Sequence, residues 1–287
     1  MSTMPSIRLV ECPRDAMQGW KTFIPTEMKI RYLNQLLQVG FDTLDFGSFV
    51  SPKAIPQLAD TVEVLKGLQL EKTNTKLLAI VANQRGAEAA LLHPEIQYLG
   101  FPFSVSETFQ QRNTNGSIAE ALERVREIQK LCTAAGRKLV VYISMGFGNP
   151  YGDAWSEHVV LEWVSTLVAL GVPIISLADT VGLATPVQIE RITGYLVKAL
   201  PRTEIGVHLH ASAIGWREKV EAAWNEGCRR FDGALKGIGG CPMADDELVG
   251  NMNTEWLIDF FREKGAEPAL DKTALQQSLQ MAGEIFG

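Results

Sequence analysis

Residues 174–210 read IISLADTVGLATPVQIERITGYLVKALPRTEIGVHLH, and they contain one full strand–helix–strand repeat. The apolar run 174–178 is strand-length and stops at Asp179. Thr185 and Gln188 have capping-box spacing, and Pro186 falls at the first helical position, where a missing N–H costs nothing. The run 205–210 then starts a second strand.

The same alternation extends in both directions. Strand candidates lie at 7–11, 43–47, 77–82, 97–101, 138–144, 174–178, 205–210 and 230–235. Helical spacing fills the intervals, as with Ile30, Leu33 and Leu37 or Ile118, Leu122 and Val125. Ser117 with Glu120 repeats the capping-box signature. Gly40, Gly136, Gly171 and Gly227 each end a helical pattern just before a strand, where a left-handed cap calls for glycine. Eight strands alternating with helices predict an α/β fold, a single (β/α)8 TIM barrel domain over 1–287. After Asn251 the pattern is helical, from about Thr254 to Arg262 and again over 271–285, so 252–287 reads as a short helical C-terminal extension. The 287 residues, 46% of them apolar, suit one closed barrel, a fold of about 250 residues.

A formal charge of −6 without basic clusters argues against a nucleic-acid surface and for a small-molecule partner. Cys12, Cys132, Cys228 and Cys241 show no paired spacing, which fits free thiols in a reducing compartment. Cys132 and Cys228 sit in packing positions, whereas Cys12 lies beside a candidate site and keeps both readings. No run of about 18 apolar residues and no basic-then-apolar leader occurs, so the expectation is a cytoplasmic protein without a membrane partner.

Two of the four histidines close the seventh strand candidate as His208-Leu209-His210. Residues two apart in a strand share a face, so both imidazoles point one way, as half of a divalent-metal site would. Oxygen donors are available at Asp15, after the first strand, and at Asn251, after the glycine-rich segment. That mixed nitrogen and oxygen set suits Mg²⁺ or Mn²⁺ better than a structural zinc. Barrel active sites form at the C-terminal strand ends, and the polar residues there are Arg14, Asp15, Asp45, Asn83, Asp179, His208, His210 and, after the last strand, Cys241. Each has a plain alternative: Asp179 can be a helix cap, and Cys241 an incidental residue of the flexible segment Lys236–Pro242.

Six segments recur in a familiar order: Pro13-Arg14-Asp15-Ala16-Met17-Gln18, Ser48-Phe49-Val50-Ser51-Pro52-Lys53, Asp179-Thr180-Val181-Gly182, His208-Leu209-His210, Gly239-Gly240-Cys241-Pro242, and Gly250-Asn251 with Glu255. Together they resemble the 3-hydroxy-3-methylglutaryl-CoA lyase family, metal-dependent barrel lyases related to isopropylmalate synthase, over about residues 7–260. The resemblance implies metal binding by Asp15, His208, His210 and Asn251. It makes Arg14 the stabiliser of a thioester enolate and Cys241 a loop thiol moving a proton. Asp179 and Glu255 match positions important for activity, and His208 or Asp179 is the candidate base. Gln18, Asp45, Asn83, Arg112 and Asn113 are expected on the substrate side, the last two in a segment from Ser106 near the acyl-CoA entrance. Arg112 there meets a phosphate or is simply solvated. The implied reaction is retro-Claisen cleavage of 3-hydroxy-3-methylglutaryl-CoA to acetyl-CoA and acetoacetate, with a divalent metal, no organic cofactor, an acyl-CoA partner and a homodimeric state.

The chain departs from the family pattern at several places. Ala211-Ser212-Ala213-Ile214 stands where the lyases continue Asp-Thr-Tyr-Gly. Gly19-Trp20 replaces Asn-Glu, Asp45 is one methylene shorter than the family glutamate, and Asp245-Asp246-Glu247 replaces small polar residues. These changes keep two alternatives in view: a related lyase or aldolase for another hydroxy-acyl-CoA or hydroxy acid, and a non-catalytic metal-binding barrel. Retention of Arg14, Cys241 and Glu255 argues against the second, because metal binding alone needs none of them.

Overall fold

The structure is a computed structural model and describes residues 6–240 and 250–287. In chain order the elements are β1 (Arg8–Glu11), α1 (Pro13–Gln18), α2 (Thr26–Val39), β2 (Thr43–Ser48), α3 (Thr61–Lys66), β3 (Lys76–Ile80), α4 (Gln84–Leu91), β4 (Ile96–Ser104) and α5 (Glu107–Thr114). They continue with α6 (Ile118–Ala134), β5 (Lys138–Ser144), α7 (Glu157–Ala169), β6 (Ile174–Ala178), α8 (Pro186–Ala199), β7 (Glu204–His208), α9 (Trp216–Asn225), β8 (Arg230–Gly233), α10 (Thr254–Glu263) and α11 (Lys272–Phe286). The eight strands pair in parallel in sequence order, and β8 closes on β1 through Arg8↔Arg230 to Glu11↔Gly233. This is the (β/α)8 barrel that the repeat predicts.

The local signals act as the sequence implies. Ser117 and Thr185 form complete capping boxes at the starts of α6 and α8. Gly40, Gly136, Gly171 and Gly227 adopt φ values of 87°, 66°, 90° and 92°, the left-handed region that a Cβ penalises.

Because strand side chains alternate, the sheet separates two apolar layers. Leu77, Ala79, Leu139, Val141, Ile175 and Leu177 pack with the helices in the main core. Leu78, Ile80, Tyr98, Val140, Tyr142 and Ile174 form a second cluster inside the barrel. The stem of Arg230 shares that interior: a Cβ on Gly206 would lie 2.9 Å from its Cδ. Gly206 therefore makes room for a buried guanidinium, which sits 5.8 Å from the Tyr98 ring centroid.

Three strands, β3, β7 and β8, end two residues before the apolar runs do. β6 stops at Ala178, paired with His208, so β7 loses its partner there and ends as a ladder. The chain stays extended by turning to another neighbour: His210 bridges Asn251 antiparallel, with Ala211 N–H donating to Gly250 O and Met252 N–H to Leu209 O. β8 ends at Gly233, and Ala234 continues it through a parallel bridge to Asn253.

The C-terminal helices cover the barrel. Leu257, Phe260 and Phe261 of α10 are wholly buried, with Phe261 5.0 Å from the Phe231 ring. Trp256 stacks on Trp216 at 5.3 Å. α11 lies against α2, and its Phe286 meets Tyr32 and Trp20 edge-on. Glu11 at the end of β1 fastens this extension, accepting from Leu235 N–H at 2.8 Å and Thr254 Oγ1–H at 2.6 Å. Burial pushes its carboxyl up to about 8, against those two hydrogen bonds. No helix among the described residues is long and apolar enough to cross a membrane.

Candidate active site

At the C-terminal ends of the strands, α1 begins directly after Cys12 and turns Arg14, Asp15 and Gln18 into the barrel mouth. Arg14 is a hub. Its Nε and Nη2 both donate to Asp45 Oδ2, at 3.0 and 2.6 Å, and its Nη1 donates to Asp15 Oδ1 and Gln18 Oε1 at 2.8 and 2.7 Å. A guanidinium has five N–H donors, so these four bonds leave one, on Nη2. Burial opposes the Arg14 charge, but Asp45 and Asp15 outweigh it and hold the group more basic than usual.

Asp15 faces His208 and His210. One donor atom from each of the three lies within 4.8 Å of the others. Burial would raise the Asp15 carboxyl, yet Arg14, His208 and the Asn251 amide bring it down to about 2. Burial and the neighbouring His208 lower His210 to about 3, so it presents a neutral imidazole, the form that ligates metals. The two Nε2 atoms are 3.2 Å apart. Asn251 Nδ2 donates to Asp15 Oδ2 at 2.8 Å and to Ile238 O at 2.9 Å. Its Oδ1 is buried and meets no donor in hydrogen-bonding geometry. A carboxylate, two imidazoles and an otherwise orphaned amide oxygen are a donor set that fits a divalent cation.

A cavity of about 360 Å³ opens beside these groups. Arg14, Asp15, Gln18, Asp45, His208 and His210 line its polar end, and Val50, Ile55, Ile80, Pro102 and Phe109 its apolar wall. Arg112, Asn113 and Thr114 also line it, with the Arg112 guanidinium 4.7 Å from the Tyr151 ring centroid. The Asp45 carboxyl is pushed up by burial, to about 6 in spite of Arg14, and its Oδ1 has no partner.

Three expected residues stand elsewhere. Asn83 is the N-cap of α4, its Oδ1 accepting from Gly86 N–H at 2.9 Å, and Ala82 rather than Asn83 lines the cavity. The same polar strand-end signal serves caps and ligand contacts alike. Asp179 is buried and off the cavity lining: Oδ2 takes Lys219 Nζ at 2.7 Å and Oδ1 takes Ala184 N–H at 2.9 Å. Glu255, in the first turn of α10, accepts from Lys236 N–H and lies off the cavity lining. Cys241 and the run Asp245-Asp246-Glu247 lie outside the described residues. Trp20 turns to Phe286, away from Asp15. Ala211 is buried and Ile214 exposed, so neither adds a polar group to the cavity.

Three residues near the site lie outside the set expected from the sequence. Asp232 places Oδ2 3.2 Å from His208 Nδ1. Lys219 of α9 donates to Asp179, to Gly182 O at 3.1 Å and to His210 O at 2.9 Å, clamping two strand-end loops together. Tyr142 lines the cavity with its hydroxyl buried and unpartnered, its ring edge-on to His208. Asp232 and Tyr142 were within reach, because each lies on a recognised strand in phase with inward-facing neighbours.

Residues 7–282 match the HMGL-like family model. The chain belongs to the HMGL-like family. It is 35% identical to a hydroxymethylglutaryl-CoA lyase of Bacillus subtilis over 246 residues, covering 86% of this chain and 81% of the relative. It is 34% identical to the mitochondrial hydroxymethylglutaryl-CoA lyase of Bos taurus, covering 90% and 79%. Among solved structures, an HMG-CoA lyase from Acinetobacter baumannii in complex with coenzyme A and 3-methylmalate superposes with a TM-score of 0.92 at 33% identity, covering 100% of this chain and 93% of that one. The resemblance read from six short segments thus extends over the whole HMGL-like barrel.

Proposed function

We propose that this protein is a divalent-metal-dependent carbon–carbon lyase that cleaves 3-hydroxy-3-methylglutaryl-CoA to acetyl-CoA and acetoacetate. The observation that carries the reading is the convergence of Asp15, His208, His210 and the orphaned Asn251 Oδ1 beside Arg14 at one end of a cavity. These four residues would hold Mg²⁺ or Mn²⁺, which when bound acidifies a chelated tertiary hydroxyl and orients it.

The residues of the chain account for the rest. Asp45, with one unpartnered oxygen and a carboxyl near 6, takes the hydroxyl proton. The C2–C3 bond breaks, its electrons passing into the thioester to give an enolate while the hydroxyl carbon becomes the ketone of acetoacetate. Arg14, locked by Asp45 and Gln18, meets the enolate oxygen with its remaining N–H and a charge it never loses. The Cys241 thiol protonates the enolate carbon to give acetyl-CoA, and the proton held by Asp45 restores the thiol by way of solvent. Asp179 is read as a support, since both its oxygens are already engaged.

The cavity holds the branched acyl group and thioester, and the remainder of the carrier leaves past Arg112, whose guanidinium suits a phosphate. Asn113 and Gln18 complete the substrate side. The same reading treats residues 1–287 as one lyase domain with 252–287 as its extension, working as a cytoplasmic homodimer. A second reading, a lyase for another hydroxy-acyl-CoA, is favoured by the altered turn from Ala211 to Ile214.

The test is product formation from 3-hydroxy-3-methylglutaryl-CoA by purified protein with Mg²⁺ or Mn²⁺, beside an EDTA-treated sample and His210→Ala. Release of acetyl-CoA and acetoacetate that both controls abolish supports the lyase. Metal binding without release moves the assignment to the second reading, and failure to bind metal refutes both.

A further inference from the structure

His208 is held from both sides of its ring. Nε2 faces His210 and Asp15, whereas Nδ1 faces Asp232 of the adjacent strand β8 at 3.2 Å. The register Gly206↔Arg230 and Val207↔Phe231 brings Asp232 level with His208, and both project into the barrel. Asp232 is buried, and among the described residues its carboxylate takes no other side-chain hydrogen bond: Oδ1 is unpartnered. Two residues earlier on the same inward face, the buried guanidinium of Arg230 supplies a compensating positive charge. A carboxylate can only accept, so the Nδ1 beside it must carry a proton and the neutral ring must offer its lone pair at Nε2.

We propose that Asp232 is a positioning residue that fixes the His208 tautomer, aiming the Nε2 lone pair at the space shared with Asp15, His210 and Asn251. It reaches no substrate and acts only through the imidazole. The inference rests on the metal site proposed above. A carboxylate behind a ligating histidine orients the ring and raises its basicity, and losing one typically lowers metal affinity 10–100-fold.

Asp232→Asn keeps the size of the side chain, but its amide can donate to Nδ1 and drive the proton to Nε2, where it blocks the lone pair. The experiment is Mn²⁺ titration of purified protein without substrate, read by the loss of free-ion EPR signal, for the parent, Asp232→Asn and Asp232→Glu. A 10–100-fold weaker affinity in the asparagine variant, partly restored in the glutamate variant, is expected. Affinity within twofold of the parent in a folded Asp232→Asn protein overturns the proposal. ¹⁵N NMR of the histidines in the metal-free parent, at a pH alkaline enough for the His208 ring to be neutral, is an independent check that needs no variant: a proton on Nδ1 alone supports the assignment, and a proton on Nε2 alone refutes it. A parent that binds no Mn²⁺ would remove the metal reading itself and leave the tautomer spectrum to decide this inference alone.

Discussion

Replacing Glu11 with glutamine should stabilise the protein by an amount that grows as pH rises from weakly acidic to alkaline. Glu11 is fully buried, and its carboxyl titrates near 8 in the fold against 4.5 as the ordinary value. Between those limits the native state keeps a proton that the unfolded chain has released, so stability falls as pH rises, and the loss is complete above 8. From pH 5.5 to pH 8 that is 2.5 units at about 1.4 kcal/mol each, or about 3 kcal/mol. Glutamine preserves the contacts: its carbonyl can accept from Leu235 N–H and its amide can donate to Thr254 Oγ1. Metal-free denaturant unfolding, followed by tryptophan fluorescence at pH 5.5, 7 and 9, would compare the two proteins. Groups common to both cancel in the difference. The expected result is a gap in favour of Glu11→Gln that widens by about 3 kcal/mol between pH 5.5 and pH 9. Parallel pH profiles would show that Glu11 is already ionised in the fold, and would refute the reasoning.

Arg14→Lys removes the fork that spans Asp45, Asp15 and Gln18. A lost enolate donor should lower kcat by 10²–10³, about 3–4 kcal/mol, with a much smaller change in KM; a KM effect alone would move Arg14 out of the reaction. Cys241→Ser should cost most of the turnover while Mn²⁺ affinity stays at the parental value. Near-normal kcat in that variant would return the thiol to an incidental role.

The fold was legible because each repeat carried its own punctuation. Capping boxes at Ser117 and Thr185 and the left-handed glycines marked helix ends, and the apolar runs marked strands closely enough to count eight. The histidine pair was legible for a reason only partly anticipated. Period-two spacing assumed a strand through His210, whereas β7 ends at His208 and the chain stays extended by bridging Asn251. The two imidazoles share a face all the same. Asn83 was misplaced because a polar residue after a strand caps the next helix as readily as it meets a ligand. Lys219 was beyond reach: a lysine on an amphipathic helix reads as solvated, and only the fold brings its amine to Asp179 and His210 O. Asp232 and Tyr142 carried the inward phase of their strands, but a buried polar residue declares its partner only once the neighbouring strand is in place.

The bridge between His210 and Asn251 also bears on the order in which this protein is made. All eight strands have been synthesised once residue 233 is in the chain, yet the candidate donor set still lacks its amide until residue 251 follows. The Asn251 to Asp15 hydrogen bond joins positions 236 residues apart, among the longest loops this chain can close. A nascent chain stalled on the ribosome just after β8 would hold every barrel strand and only three of the four donors, so chelation can reward only a chain extended past Asn251.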